Sequence, residues 1–423
     1  MRLSVFPVIY NVYEVNIRQY TEEGTLDAFI AHLPRLKNMG VDVLWLMPVF
    51  PISLTRRKGT LGSYYAPSSY REINPNIGDK RDMKLLISKA HALGMRVILD
   101  WMTNHTGWDH EWITSHPEFY YKDENGHIRE PFDANGKPMG WNDVAHLNYH
   151  NKDLWVTMIS EMQYWVDEFR LDGFRQDMAM LVPTAFWVQA NSQLRKSNPN
   201  LIFIAESEEG AHIDQGGFNV HYGWNLHHII NKVARKESGP SAVTKYIDTN
   251  LNGIQHKLLF TSNHDENSWS GSEILRMGEA YKAFAVLTYA VGGVPMIYSG
   301  QEEPNPKTIR FFDKDLIQLK HFFLQPLYSE LNKARRSLLQ HLTPSDHGQL
   351  EIHWYNSSVI LAHQRVHSMA MSFLINISNQ RQKITLQQNI SGINIFSNEN
   401  CNFDVGSSIE LEPWNFIVIT HNI

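Results

Sequence analysis

Short β-rich runs alternate with longer amphipathic stretches over the first three quarters of the chain. This alternation is typical of βα units built around a parallel sheet. Eight runs have the composition of buried strands, at residues 13–17, 43–46, 97–100, 174–176, 201–205, 218–220, 258–261 and 294–298. Eight such repeats predict an α/β fold, a closed (β/α)8 TIM barrel.

Between these runs, apolar residues recur mostly at spacings of three and four, which predicts helices that bury one face. The clearest stripes lie within residues 29–36, 83–93 and 154–169. Gly40, Gly94 and Gly173 come shortly after the stripes. We therefore expect these glycines at helix ends or tight turns, where positive φ is needed.

Two regions depart from the βα rhythm. Residues 105–148 are rich in Gly, Asn, Asp and Pro without a helical period, which predicts an irregular subdomain inserted after the third strand. After about residue 335, short β-rich runs alternate with Ser, Asn and Gly turns, which predicts a C-terminal antiparallel β-sandwich. The predicted domains are the barrel (1–104 and 149–335), the loop subdomain (105–148) and the sandwich (336–423).

Composition limits the partners. The 423 residues include 38 Lys and Arg against 44 Asp and Glu, a net charge of −6, so we expect neither a nucleic-acid nor an anionic-membrane partner. No apolar stretch approaches the ~18 residues of a membrane span, and the first residues do not resemble a signal peptide, which together predict a cytoplasmic protein. The amino-acid sequence does not predict the oligomeric state. A single cysteine, Cys401, excludes an intramolecular disulfide and a cysteine-rich metal site.

Carboxylates follow four of the predicted strands. In a TIM barrel the active site lies at the C-terminal ends of the strands, so these side chains are expected to meet at one opening. A single Asp at such a position is often only a helix N-cap, but four together favour a functional site. The four carboxylates, with the basic residues beside them, are Asp100, Asp177, Glu206 and Asp265, with His105, Arg175 and His264.

Paired carboxyls suit glycosidic cleavage, in which one is ionised and the other protonated. Arg175 and Asp177 are two apart on a strand and point the same way, so the guanidinium is expected to keep Asp177 ionised as a nucleophile. Glu206 has no cation beside it in sequence, which favours the protonated form of a general acid. The alternative for Arg175 is a structural ion pair between two strands.

An alternative interpretation of His105 and His264 is that they bind the metal ion of a metal-dependent hydrolase. No H-x-H or H-E-x-x-H spacing surrounds them, however, and each follows an Asn. This context favours hydrogen bonding over metal ligation.

Four segments in order, DWMTNH (100–105), DGFRQD (172–177), IAES (204–207) and FTSNHD (260–265), resemble the signature regions of the α-amylase family, glycoside hydrolase family 13. The resemblance extends from about residue 8 to 336 and includes GSYYAPSSYREINPNIG after the second strand and GVPMIYSGQE at the eighth.

The resemblance implies a role for each matched residue. Asp177 would be the nucleophile that forms a covalent glucosyl intermediate, Glu206 the general acid and then base, and Asp265 the residue that binds sugar hydroxyls and stabilises the transition state. The remaining roles concern the sugar at the cleavage site: His105 and His264 would hydrogen-bond it, Tyr65 would stack on it, Arg175 would orient Asp177, and Asp100 would help fix the pocket. The anomeric configuration would be retained, with the two catalytic carboxyls roughly 5–6 Å apart.

The chain departs from the family at its usual structural calcium site. Asn104 matches one ligand, but Leu181 stands where a histidine is expected and His146 where an aspartate is expected. We therefore expect no metal at that site, a hydrogen-bonding role for Asn104, and no cofactor in the chemistry.

Two features leave the specificity open. Met178 directly follows the expected nucleophile, at a position where family members that prefer 1,6 or 1,4 bonds tend to carry other residues. Four loop tryptophans are either sugar platforms or core residues: Trp101, Trp108, Trp141 and Trp269.

The resemblance predicts an enzyme that hydrolyses α-1,4 bonds of malto-oligosaccharides or starch-type glucans. Alternatives with the same intermediate are a transglycosylase, a glucanotransferase, or a trehalose- or sucrose-active relative. A non-catalytic glycan-binding barrel is a further alternative, disfavoured because Asp177, Glu206 and Asp265 are all present.

Overall fold

The computed structural model describes residues 7–133, 135–340, 342 and 348–422. Residue 1, where the first predicted domain begins, and residue 423, where the last one ends, lie outside these ranges. Residues 1–6, part of the segment on which the signal-peptide prediction was based, also lie outside them. Eight parallel strands form a closed barrel: β1 (Val12–Val15), β2 (Val43–Leu46), β3 (Arg96–Met102), β4 (Gly173–Asp177), β5 (Ile202–Ala205), β6 (Val220–Tyr222), β7 (Lys257–Leu259) and β8 (Val294–Tyr298). Each strand pairs with the next and β8 pairs with β1, which confirms the predicted TIM barrel.

Helices connect the barrel strands as the apolar stripes predicted. The helices of ten or more residues are Lys80–Ala92, Lys152–Phe169, Thr184–Ser197, Trp224–Ala234, Ser241–Asn250, Tyr281–Ala290 and Gln325–Leu339. Shorter helical segments are Ile17–Tyr20, Leu26–Ile30, Leu33–Asn38, Trp112–Ser115, Pro117–Phe119, Ala179–Leu181, Gly210–Asp214, Leu251–His256, Glu266–Ser270, Glu273–Met277 and Gly278–Ala280. No helix among the described residues combines the length and the apolar character needed to cross a bilayer.

The three predicted turn glycines have different roles. Gly40 and Gly94 have φ of 83° and 70°, as expected after a helix. Gly173 also has positive φ, 148°, as predicted, but it does not end the helix, because the C-cap of helix Lys152–Phe169 is Arg170 with φ of 56°. Gly173 begins β4 instead, where an added Cβ would lie 1.9 Å from the carbonyl oxygen of Ile202 on the neighbouring strand. A close approach of two strands therefore requires this glycine.

Strand alternation places one side of each strand inside the barrel. Val43 and Trp45 of β2 pack in the interior, whereas Leu44 packs in the layer between barrel and helices. On β3 the same alternation puts Ile98 in the interior, with Asp100 two residues further toward the C-terminal mouth. The inward positions nearest the mouth are therefore the ones available for chemistry.

The connection after β3 is irregular, as expected. An antiparallel ribbon joins His105–Gly107 to Val144–His146. In the described part of the segment between them, residues 108–133 and 135–143, the structure consists of short helical turns, loops and isolated bridges, such as Lys122 with Ile128.

The C-terminal part is antiparallel, as predicted. Its strands are β9 (Gln349–Asn356), β10 (Val359–Val366), β11 (Met369–Asn376), β12 (Gln382–Thr385), β13 (Ile390–Asn394), β14 (Asn400–Phe403), β15 (Ser408–Leu411) and β16 (Phe416–Asn422). Six form one sheet in the order β9-β10-β11-β16-β13-β14, and β12 pairs with β15.

Two apolar layers cover the six-stranded sheet. Phe373 and Ile375 pack with barrel-side residues such as Phe284, and Leu361 and Leu374 pack with Ile384 of the two-stranded sheet. The predicted boundary between residues 335 and 336 falls inside helix Gln325–Leu339, and the domain bounds stay predictions.

Candidate active site

The C-terminal mouth of the barrel surrounds an open cavity of about 310 Å³. The three predicted catalytic carboxyls, Asp177, Glu206 and Asp265, all line it. So do three predicted substrate-binding residues, Tyr65, His105 and His264. The other two, Asp100 and Arg175, lie behind this lining with no exposed surface. The structure therefore brings all eight predicted site residues to one place.

Arg175 is the central cation of the site. Its Nη1 donates to Asp100 Oδ1 and to Asp177 Oδ1, both at 2.9 Å, and its Nε donates to the hydroxyl of Tyr222 at 3.0 Å. Its Nη2 lies 2.9 Å from Glu206 Oε2 in an ion pair too bent for a hydrogen bond. Both interpretations of Arg175 are therefore met, since it joins two strands through Asp100 and also contacts Asp177. No cation is next to Glu206 in the sequence, but the fold places the guanidinium of Arg175 beside it.

Asp177 and Glu206 form a coupled pair. Burial raises the pKa of Asp177, the neighbouring Glu206 raises it further, and the lowering effect of Arg175 is smaller than these two together. Arg175 thus lowers the pKa of Asp177, in the predicted direction, while burial and Glu206 act against it. Two buried carboxyls beside one guanidinium resist carrying two negative charges, so the pair retains a proton to higher pH than isolated carboxyls do.

Glu206 is positioned by β5 and by the turn after β4. Its Oε2 accepts a hydrogen bond from the backbone N–H of Met178 at 2.8 Å. Met178 has φ of 46°, which turns its N–H toward the next strand's carboxylate instead of continuing β4. A non-glycine residue with positive φ is costly, and such positions cluster at functional sites.

His264 lies between carboxylates. Its Nδ1 is 2.5 Å from Glu14 Oε1, and its Nε2 is 2.8 Å from the Tyr65 hydroxyl and 3.2 Å from Asp265 Oδ2. Burial alone would lower the pKa of His264, but Asp265 and Glu14 raise it to about 9. His264 is therefore an imidazolium at neutral pH, aimed at the side chain that the family resemblance assigns to sugar binding.

Sequence reasoning missed Glu14, which lies on β1 and is fully buried. The available signal was a glutamate within the otherwise apolar strand VYEV, since an acidic side chain in a buried strand needs a partner. That partner, His264, is 250 positions away, so the sequence alone did not identify it.

Tyr65, and not its neighbour Tyr64, lines the cavity. The Tyr65 hydroxyl donates to Asp100 Oδ2 at 2.9 Å, and its ring stacks on His264 with an interplanar angle of 19°. The Tyr64 hydroxyl instead donates to Asn16 Oδ1, away from the cavity lining.

His105 is neutral and held by hydrogen bonds. Its Nε2 donates to the carbonyl of Tyr65 at 3.0 Å, and its Nδ1 accepts from Asn104 Nδ2 at 3.3 Å. Burial lowers the pKa of His105 to about 4. Hydrogen bonding is thus the observed role of this ring, although its partners here are protein atoms.

The usual calcium ligands of the family do not fit a calcium ion here. The side-chain nitrogen of Asn104 donates to His105, and Leu181 offers no donor atom. Burial lowers the pKa of His146 to about 3, so this position presents a neutral nitrogen instead of a carboxylate. Calcium prefers a shell of oxygen ligands, and the side chains of Leu181 and His146 supply none.

The four loop tryptophans divide into two groups. Trp141 and Trp269 line the cavity. Trp101 is fully buried and stacks on Tyr70 in the core, and Trp108 donates to the carbonyl of Asn142 at 2.9 Å. The sugar-platform interpretation is therefore available only to Trp141 and Trp269.

Several lining residues had no sequence signal. Lys58 and Asp143 form an ion pair at 2.7 Å across the opening, and Phe311 and Phe312 reach the cavity from the loop after β8. These residues lie in long loops without a recognisable motif, so only the folded chain brings them to the site.

A closed parallel barrel whose mouth holds a buried carboxyl pair on one guanidinium defines an enzyme of the glycosidase class. The family model described as "Alpha amylase, catalytic domain" matches residues 14–335. The chain belongs to the α-amylase family, glycoside hydrolase family 13, as the signature segments indicated.

Individual relatives agree with this assignment. A crystal structure of an alpha-amylase from Lactobacillus plantarum is 27% identical, covers 97% of this chain and 98% of that one, and has a TM-score of 0.84. The noncanonic maltogenic alpha-amylase AmyB from Thermotoga neapolitana is 25% identical over the whole of both chains, with a TM-score of 0.85.

Several curated relatives are named for a transfer reaction. An alpha-1,4-glucan:maltose-1-phosphate maltosyltransferase from Salinibacter ruber is 28% identical over 50% of this chain and 35% of its own length. Alpha-amylase 2 from Dictyoglomus thermophilum is 26% identical over 66% of this chain and 49% of its own length. The alignments thus span a third to a half of these two proteins.

Proposed function

We propose that this chain is a retaining α-glucan-active enzyme that hydrolyses α-1,4-glucosidic bonds of malto-oligosaccharides or starch-type glucans. The observation that carries the proposal is the buried pair of Asp177 and Glu206 on Arg175. A pair that holds one proton and one negative charge has the composition that the retaining reaction needs.

Asp177 is the nucleophile in this proposal. Arg175 Nη1 donates a hydrogen bond to its Oδ1 at 2.9 Å, which stabilises the charged form of Asp177 when the pair carries one negative charge. We assign the attack on the anomeric carbon to Asp177 Oδ2, because Oδ1 is held by the guanidinium. The C–O bond to the leaving sugar breaks as the bond to Asp177 forms.

Glu206 moves the proton. It gives a proton to the leaving glycosidic oxygen in the first step, and it takes a proton from the attacking water in the second. Asp265, beside the cationic His264, binds hydroxyls of the sugar and stabilises the positive charge that develops on the ring. The chain's own side chains supply each of these steps.

Transfer to a sugar acceptor is the second candidate. The Salinibacter ruber relative is named a maltosyltransferase, and its chemistry needs the same kind of covalent intermediate. The two functions differ in the second step, in which either water or a sugar hydroxyl gives its proton to Glu206 and attacks the intermediate. The open cavity lined by Trp141 and Trp269 is compatible with both acceptors.

Product analysis on maltoheptaose tests the proposal. We expect only shorter oligomers, whereas a ladder that extends above seven units would establish transfer. Inactivity on maltoheptaose with turnover of sucrose or trehalose would contradict the α-glucan assignment. The Asp177→Asn variant, prepared identically, is the matched control for contaminating amylase, and Glu237→Gln on the surface controls for the handling of variants.

A further inference from the structure

A second cluster of ligand-type side chains lies outside the cavity lining. Helix Trp224–Ala234 contributes His227 and His228, and the turn after β7 contributes Glu266. One ligand atom from each residue lies within 4.8 Å of the other two. Asp265 lines the cavity, whereas Glu266, the next residue, is not among its lining residues.

The closest pair in this cluster is His227 and Glu266. The side chain of His227 has no exposed surface, and its Nε2 lies 3.0 Å from Glu266 Oε2. Its Nδ1 lies 3.2 Å from the carbonyl oxygen of Phe260. Because a carbonyl only accepts hydrogen bonds, Nδ1 carries a proton, and Nε2 is the ring nitrogen that faces the carboxylate.

An imidazole nitrogen and a carboxylate oxygen 3.0 Å apart share either a proton or a metal cation that both atoms bind. A ring nitrogen that donates to a backbone carbonyl, as Nδ1 does to Phe260, is also the usual support of a metal-binding histidine.

Two neighbouring polar side chains approach these ligand atoms. Arg276 lies 3.9 Å from Glu266 Oε2, and its guanidinium is engaged by Asn231 Oδ1 and by the carbonyls of Gly271 and Thr261. The side-chain nitrogen of Asn231 is 3.1 Å from His227 Nε2, so a bound cation would displace this contact.

The geometry points to a site for one divalent transition-metal ion of the zinc class, bound by His227, His228 and Glu266. Two imidazole nitrogens and one carboxylate oxygen are a donor set that zinc accepts, with water in the fourth position. Tetrahedral bonds of ~2.0 Å place neighbouring ligand atoms about 3.3 Å apart, so the 3.0 Å pair needs only a small adjustment. His228 is exposed and stacks on Trp224, so its ring is accessible from solvent.

Titration of chelator-treated, dialysed protein with ZnCl₂ tests this site. In calorimetry we expect one zinc ion per chain, together with a higher unfolding temperature, because an ion that binds only the folded state stabilises it. His228→Ala and Glu266→Gln should each weaken zinc binding by at least about tenfold. His150→Ala, at another exposed histidine, should bind zinc like the wild type.

Three outcomes would overturn the site. These are the absence of saturable one-to-one binding in the wild type, unchanged zinc affinity in His228→Ala, and equal affinity for CaCl₂, which would show an oxygen-type site. Should Glu266→Gln fail to fold, His228→Ala alone decides, because that side chain is exposed. The result does not depend on which glycosidic reaction the barrel performs.

Discussion

The cavity has a floor and a rim that differ in how they are held. The floor comprises Asp100, Arg175, Asp177 and Glu206, which lie on barrel strands or directly after one and are all buried. The rim comprises Lys58, Trp141, Asp143 and Trp269, which come from loops. Arg175 is fully buried, whereas Trp269 is 61% exposed.

The difference shows which part of the site is preorganised. On the floor, Asp100 accepts from Arg175, Tyr65 and Trp45, so its position is determined from three directions. On the rim, the ion pair of Lys58 with Asp143 is partly open to water, and the Lys58 side chain is 33% exposed. Changes to the floor should therefore affect the chemical step and stability, whereas changes to the rim should affect substrate affinity.

The largest effect is expected at the carboxyl pair. Asp177→Asn and Glu206→Gln should each lower kcat/KM on a maltodextrin by about 10⁴-fold or more, since each removes a group that acts in the transition state. An activated aryl glucoside should restore part of the activity of Glu206→Gln, because its leaving group needs no proton. Circular dichroism checks that both variants fold, and near-native turnover by either would contradict the assigned roles.

The next largest effect is expected at Arg175. Arg175→Met leaves three buried carboxyls without their cation and should lower the free energy of unfolding by about 3–5 kcal/mol, measured by urea denaturation. Arg81→Ala removes a fully exposed pair with Asp79 and should leave the free energy of unfolding nearly unchanged. Equal losses in the two variants would show that the floor is no more constrained than the surface.

Glu14→Gln should change how stability depends on pH. The pKa of His264 is raised to about 9, so its contribution to stability is complete below its unfolded value of about 6.5 and is lost as the pH rises through about 9. Removing Glu14 lowers the pKa of His264, so this loss should begin at lower pH, by about 1.4 kcal/mol for each pKa unit. Unfolding free energies from about pH 6 to 10 measure the shift. An unchanged pH dependence would mean that Glu14 does not maintain the charge of His264.

The smallest effect is expected at the rim. Trp269→Ala should raise KM for maltoheptaose several-fold, corresponding to about 1 kcal/mol, with kcat nearly unchanged. Its unfolding free energy should stay within about 0.5 kcal/mol of the wild type, because the side chain is mostly exposed. Trp101→Ala is the contrasting core variant and should lose about 3–5 kcal/mol of stability. A large fall in kcat for Trp269→Ala would remove the distinction between rim and floor.

The elements that the sequence predicted well are those with strong local patterns. All eight barrel strands were found, with bounds that shift by a few residues; the sixth lies at Val220–Tyr222 instead of 218–220. Gly173 has the predicted positive φ, but the close strand contact that requires a glycine there was not predicted, because Ile202 on the next strand is not a neighbour in sequence.

The amino-acid sequence by itself determined the barrel, the antiparallel C-terminal sheet and seven of the eight predicted side chains at the site, because strand periodicity and strand-end position are local properties of the chain. The eighth, Tyr65, was identified only through the family resemblance. Only the tertiary structure decided the electrostatic state of that site. Arg175 reaches Glu206 as well as Asp177, and Glu14 reaches His264, through contacts between strands far apart in sequence. A pKa depends on burial and on every charge within a few ångströms, so it is settled only when the barrel closes.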